Sequence, residues 1–427
     1  MSTEGLVTRT APQSWERLDS LAERHGPTFY LADVEHFEAN CRRFLGAFRA
    51  VYPRTNIGYS YKTNYLPHLI RRAHALGAYS EVVSRFEFDI ARELGIPGTR
   101  IIFNGPLKRV DDLLEAFSAG ALVNADSIPE VDLMVEASSR SGRPAQVGVR
   151  CRLGAPGPQE PGSRFGIDLA DPAGVEAIRA IDAAPNLRLA GLHCHQSADR
   201  SAETYRSRTE TMIGLHHDVL GGRPLDYIDL GGGFASTMSP ELARQLESPS
   251  ASFEDYAAAV GSEMRDAYGG GGPELLLEPG MALLADTMTL VTRVETVKTQ
   301  GRDLAVVDGS GFNIQPPWNL LRRNINLPIR VVVDPRRASA STGPWDVVGH
   351  TCVEKDVLHE GHAGPVGIGD YIVFDNVGAY TNVLNAPFIR GTPPILAAAE
   401  DGSTAVLRPR STAADLVASY LTPDGAA

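Results

Sequence analysis

The strongest constraint on the fold is a rhythm. From residue 28 to about 285, short apolar runs alternate with amphipathic segments. Strand-like runs fall at Ile57–Lys62, Ala78–Val83, Arg100–Asn104, Leu122–Ala125, Gln146–Cys151, Leu189–Cys194, Tyr227–Leu230 and Glu274–Leu277. Each is short and rich in β-branched or aromatic residues, as strands covered on both faces tend to be. Between them, Pro67–Leu76, Phe86–Leu94, Arg109–Ala119, Pro129–Ser139 and Phe253–Tyr268 carry apolar residues at three- and four-residue spacing. That spacing marks a helix with one buried stripe. Gly77, Gly95, Gly120 and Gly142 follow helix ends, where a left-handed cap is favoured. Eight strands alternating with helices predict a (β/α)8 barrel.

After Ala285 the rhythm changes. Thr287–Thr299 is a long β-branched run with no helix behind it. Leu304–Val307, Ile329–Val333, Val347–Val348 and Tyr371–Phe374 follow, separated by Gly, Pro and Asp turns. The expected division is a segment 1–28 joining a C-terminal β-domain, a barrel over 29–285, and a mainly antiparallel β-domain over 286–427.

Composition narrows the function classes. The net charge of −12 argues against a nucleic-acid binder that neutralises phosphates. No run approaches the ~20 apolar residues of a membrane helix. The first residues lack the basic-then-apolar order of a secretory signal. Cys41, Cys151, Cys194 and Cys352 form no close pair, against a disulfide framework or a zinc ribbon, so a reducing cytoplasm is expected. Lys62, Lys108, Lys298 and Lys355 are the only lysines. A lysine within an aromatic stretch therefore stands out.

Functional residues of a (β/α)8 barrel gather where the strands end. The first run ends in Lys62, the second in Glu81-Val-Val-Ser84, the third in Asn104-Gly105 and the fifth in Arg150-Cys-Arg152. The sixth ends in His193-Cys-His195, the seventh in Gly231-Gly-Gly233 and the eighth in Glu278-Pro-Gly280. Lys62 alone fits a strand-end lysine reaching to solvent. Desolvation by Tyr59, Tyr61 and Tyr65 would instead disfavour its ammonium form, as a Schiff-base lysine requires. Three glycines after a strand serve as loop punctuation or as a phosphate cradle. His193 and His195 lack an evident carboxylate or thiol to complete a metal set, so one core and one site histidine is the expectation, with no metal. Glu278 is open to a capping role or to pairing with a heteroaromatic nitrogen.

Taken together, these residues resemble the fold-type III pyridoxal-phosphate enzymes of the diaminopimelate/ornithine/arginine decarboxylase group. YSYKTN resembles the family's cofactor-lysine motif, SEVVS its acidic-V-x-S, SRFGI its S-K-F-G-I, and GLHCH its G-x-H-x-H. DLGGGF resembles the glycine turn, EPG the glutamate motif, GHTC the G-P-x-C motif and GAYT the G-A-Y motif. Eight motifs in the family's order span about Phe29 to Arg390.

The resemblance implies an alanine-racemase-like fold and pyridoxal 5'-phosphate as cofactor. It implies that Lys62 carries the cofactor, that Glu278 pairs with its ring nitrogen, that His195 stacks on the ring and that Glu81 lies near lysine and ring. Gly232, Gly233 and Gly280 would hold the phosphate with the Tyr380 hydroxyl, and Arg150 matches a strand-end arginine of the ornithine-type enzymes. Cys352 matches a proton-donating residue that comes from the other subunit, which implies a homodimer with shared sites.

Departures fall at the substrate end. The glutamate motif continues with Met281 where the family has arginine, and Ala198 replaces a serine after His195. Val353 follows Cys352 where the family has an acidic residue that binds the distal end of a diamino substrate. A valine cannot pair with an ammonium. Glu354 is adjacent but would point elsewhere in an extended stretch. Arg322 and Arg323 are candidate carboxylate clamps or a solvated pair. The expectation is decarboxylation of an amino acid with a rebuilt distal pocket, in specialised metabolism such as siderophore or antibiotic assembly. The expected substrate is a small-molecule amino acid, modified or carried on another molecule such as a carrier protein. The alternatives are a conventional diaminopimelate or ornithine/lysine decarboxylase, an amino-acid racemase, an inactive regulatory paralogue, and a metal-dependent barrel hydrolase resting on the two histidines.

Overall fold

A computed structural model describes residues 13–154, 163–196, 199–248, 251–299, 301–314, 325–337, 341–398 and 404–420. Eight parallel strands close into a barrel: β2 (Thr55–Ser60), β3 (Tyr79–Val82), β4 (Ile101–Phe103), β5 (Leu122–Ala125), β6 (Ala145–Arg150), β7 (Leu187–His193), β8 (Tyr227–Asp229) and β9 (Glu274–Leu277). Closure runs through Thr55↔Leu275 and Ile57↔Leu277. The eight runs read from the sequence are these eight strands, shifted by one or two residues at several ends. One shift matters: β2 stops at Ser60, where Thr63 N donates back to Ser60 O (3.1 Å), so Lys62 sits in a turn beyond the strand.

The barrel interior is filled by side chains. Ile102, Ala190, Tyr227 and Leu276 form one buried cluster. Tyr227 fits because two facing positions carry no side chain. A Cβ on Gly148 would stand 1.9 Å from the Tyr227 hydroxyl, and one on Gly191 would stand 2.5 Å from its ring. The buried hydroxyl needs a partner, and it donates to Asn124 Oδ1.

Contacts divide the chain into two units: residues 38–235 with 249–283, which hold the barrel, and residues 1–37, 236–248 and 284–427. In the second unit a mixed sheet is built on the long strand β10 (Met288–Thr299), which pairs antiparallel with Asp303–Val307 and Tyr371–Phe374. Strand β1 (Thr28–Ala32) also lies against β10, antiparallel, and pairs in parallel with Ile395–Ala398. The helix Trp15–His25, capped by the Ser14 side chain, lays Trp15, Leu18 and Leu21 on Phe29, Val291 and Tyr371. Among the described residues no helix is long and apolar enough to cross a membrane.

Candidate active site

The carboxyl ends of the barrel strands bring Lys62, Glu81, Asn104, Arg150, His193, His195, Asp229 and Glu278 together. Lys62 Nζ donates to Glu81 Oε2, and the Lys62 side chain remains 34% exposed while that of Glu81 is buried. Tyr59 OH donates to Asn64 O (2.6 Å) and Tyr61 OH to Ser80 Oγ (3.0 Å), so both rings are tied into the barrel wall. The lysine is held by an anion.

Asn104 connects the carboxylates. Its Nδ2 donates to Glu278 Oε1 (2.6 Å) and to Glu81 Oε1 (3.1 Å), while its Oδ1 accepts from Asn124 Nδ2 (2.8 Å). The relay therefore runs from Tyr227 in the barrel interior to both acids. Glu278 also stands 3.7 Å from His193 Nε2, and a ligand atom of Asp229 completes a buried cluster with atoms within 4.8 Å of one another. Sequence spacing alone left the two histidines without a carboxylate, because Asp229 and Glu278 arrive from other strands.

Burial by itself would raise the Glu278 carboxyl. Contact with His193 and the charge of Lys62 outweigh it and hold Glu278 well below the usual carboxylate range. Asp229 goes the other way, pushed well above that range by burial and by the charge on Glu278. Of the two, Glu278 is the stronger acid. Asp229 Oδ1 accepts from Gly231 N (2.8 Å) and its Oδ2 has no hydrogen-bond partner.

His195 is separated from His193 in function. Gly232 N donates to His195 Nδ1 (3.0 Å), which places the ring proton on Nε2. Burial, with Lys62 nearby, lowers its pKa to about 3, so the ring is neutral. Arg150 holds the same loop: it pairs with Asp126 (2.8 Å) and donates to His195 O (3.4 Å). Arg150 is a positioning residue here. Behind it, Lys108 is fully buried against Glu130 (3.0 Å), whose other oxygen accepts from Asp126 N (2.6 Å). Nothing in the spacing of Lys108 and Glu130 signalled that pair.

The glycine turn is tightly enclosed. Gly231 has φ +68° and Gly233 φ +104°, and a Cβ on Gly232 would fall 2.3 Å from Glu278 O. The amides of Gly231 and Gly232 are taken by Asp229 and His195, so the Gly232 N–H expected to hold phosphate is already spent on the histidine. Gly280 packs on Thr63, whose Oγ1 a Cβ would meet at 2.3 Å.

In the other unit, Cys352, Val353 and Glu354 are exposed. They occupy a turn and not the extended stretch assumed for Glu354: Asp356 N donates to Val353 O (2.9 Å). Asp356, unremarked in the sequence, organises the turn by accepting from Thr351 Oγ1 (2.6 Å) and Ser310 Oγ (3.0 Å). Tyr380 has φ +66° and precedes the helical turn Thr381–Leu384. Arg322, Arg323 and Ala198 lie outside the described residues.

A buried ionised carboxylate, a neutral histidine, a mouth lysine and a glycine turn that excludes side chains suit a cofactor with a basic ring nitrogen, a carbonyl and a phosphate. Residues 35–285 match the family described as pyridoxal-dependent decarboxylase, pyridoxal binding domain. The chain is 25% identical over 409 residues to a diaminopimelate decarboxylase of Aquifex aeolicus, covering 92% of this chain and 91% of that one. It is 29% identical over 411 residues to one of Actinosynnema pretiosum, covering 93% and 89%. The structure of the M. jannaschii diaminopimelate decarboxylase in complex with L-lysine is similar in fold, with TM-score 0.80, 24% identity, and coverage of 95% and 94%. The family match extends over more than half of the sequence and contains every barrel strand, so this chain belongs to the pyridoxal-dependent decarboxylases, with pyridoxal phosphate as its cofactor.

Proposed function

We propose that the protein decarboxylates an amino acid whose distal end is not a free ammonium group, as a step of specialised metabolism. The observation that carries this reading is Val353, 37% exposed beside Cys352, where the family resemblance implies an acid. A diamino substrate brought there would find no carboxylate at position 353 for its distal ammonium.

When bound, the cofactor supplies an electron sink for the pair left as the substrate carboxylate departs as CO2. The chain's own groups do the rest. Lys62 would hold the cofactor, with Glu81 at its Nζ able to take or return a proton. Glu278, fixed by Asn104, would keep a proton on the ring nitrogen. His195, with its own proton on Nε2, would lie against the ring. Gly233 and Gly280 would hold the phosphate, with the Tyr380 hydroxyl, as the family resemblance implies. Cys352 of a second copy donates the proton that replaces CO2 on the α-carbon, which requires a homodimer with shared sites.

The test is CO2 release with product mass spectrometry, run in pyridoxal-phosphate buffer with Lys62→Ala as control. The panel holds meso-diaminopimelate, lysine, ornithine, arginine, glutamate and N-acylated or carrier-linked amino acids. Turnover confined to substrates without a free distal ammonium is expected. Efficient turnover of free diaminopimelate, lysine or ornithine would overturn the rebuilt pocket and leave a conventional decarboxylase.

A further inference from the structure

A phosphate monoester dianion is best held by a guanidinium as well as by backbone N–H groups. The barrel mouth has few cations to offer. Lys62 is paired with Glu81, Arg150 with Asp126 and Lys108 with Glu130. The first two amides of the glycine turn are also taken. Position 281, next to Gly280, holds a buried methionine.

A guanidinium lies against that methionine from another loop. Arg200 Nη1 stands 3.8 Å from Met281 Sδ, and Arg200 makes no ion pair among the described residues. Its backbone is tied by one hydroxyl to the segment two residues past the glycine turn: Tyr256 OH donates to Arg200 O and accepts from Ala235 N (3.2 Å). Tyr205 ties the same region together, donating to Gly232 O (2.6 Å).

A second guanidinium stands behind. Arg208 is 4% exposed, and its Nε and Nη1 have no hydrogen-bond partner. Its Nη2 donates to Asp199 O (2.8 Å), and its Cζ lies 4.7 Å from the Tyr205 ring centre. The Asp199 carboxylate is occupied by Ser201 N (2.8 Å) and Thr204 Oγ1 (2.6 Å) and closes no ion pair with either arginine among the described residues. The loop and helix that follow β7 thus carry two arginines without a carboxylate ion pair among the described residues, one of them against the residue next to Gly280.

We propose that Arg200 is the cation that recognises the cofactor's phosphate in this protein, reaching from the loop after β7 over Met281, with Arg208 adding positive charge behind it. This assignment rests on the family and the cofactor, and is independent of which amino acid is the substrate.

The experiment is an equilibrium titration of the cofactor-free enzyme, followed by absorbance, with pyridoxal phosphate and with pyridoxal. Far-ultraviolet circular dichroism checks each variant's fold. Arg200→Met is expected to weaken pyridoxal phosphate at least tenfold and leave pyridoxal unchanged. Arg200→Lys keeps the charge and should lose less. Adding Met281→Arg to Arg200→Met should return the lost affinity by supplying the guanidinium from the other side. Unchanged pyridoxal phosphate affinity in Arg200→Met, or an equal loss for both ligands, would overturn the assignment. Binding is read without turnover, so a failure of the substrate reading leaves this result intact.

Discussion

The carboxyl groups of Asp229 and Glu278 sit buried within 4.8 Å of each other at the ends of neighbouring barrel strands, and their pKa values are pushed apart, Asp229 up and Glu278 down. Two carboxylates so close cannot both ionise at low dielectric cost. Asn104 and His193 lie on the Glu278 side, and they decide which acid keeps the charge.

That asymmetry makes Asp229 replaceable by a neutral look-alike. Asparagine keeps the oxygen that accepts from Gly231 N. Asp229→Asn should retain kcat within about tenfold, with the cofactor absorbance unshifted between pH 6 and 8. Asp229→Ala drops the Gly231 contact and should weaken cofactor binding by tenfold or more, a loss of about 1.4 kcal/mol or greater. A large loss of kcat in Asp229→Asn, together with a shifted cofactor band, would show that Asp229 acts as an anion.

Lys108 and Glu130 form a buried ion pair beneath the loop that carries His195. Removing one member strands the other in the interior, which typically costs ~3–5 kcal/mol. Lys108→Met should lower urea stability by about that amount. The double substitution Lys108→Met with Glu130→Gln should recover most of it, because no charge is left uncompensated. Equal instability of the single and double variants would mean that packing and not charge sets the loss.

Glu87 is a buried carboxyl at the first turn of the helix Arg85–Glu93, accepting from Val83 N (2.8 Å). Burial raises its pKa to about 7 from 4.5, with Glu81 adding to the rise. The folded chain keeps a proton that the unfolded chain loses above pH 4.5. Stability from this group is therefore full below pH 4.5, falls as pH rises, and is gone above about pH 7. Glu87→Gln keeps the acceptor without the charge. Its melting temperature should match the parent near pH 5 and exceed it at pH 8, with a ceiling on the order of 3 kcal/mol.

The barrel was legible because its cause is local. Parallel strands covered on both faces need continuous apolar runs, and helices laid over them need one apolar stripe, so periodicity alone placed all eight strands. Lys62, His195, the glycine turn and Glu278 were legible for a related reason: each lies just beyond the end of a strand, and strand ends of this fold converge on one face. The order of the motifs then named the cofactor.

Only the tertiary structure decided which groups meet. Asn104 bridges Glu81 and Glu278 because it follows β4, beside β3 that carries Glu81, and reaches the end of the non-adjacent β9. Lys108 finds Glu130, and Arg150 finds Asp126, across loops whose sequences carry no shared pattern. The lysine's partner was set the same way: an acid from the neighbouring strand takes the amine, while the hydroxyls of Tyr59 and Tyr61 bond to Asn64 and Ser80. Sequence spacing reports which face a residue occupies, since that follows from backbone geometry. It does not report hydrogen-bond partners or charge states, since those depend on side chains tens to hundreds of residues apart and on how much water the fold removes between them.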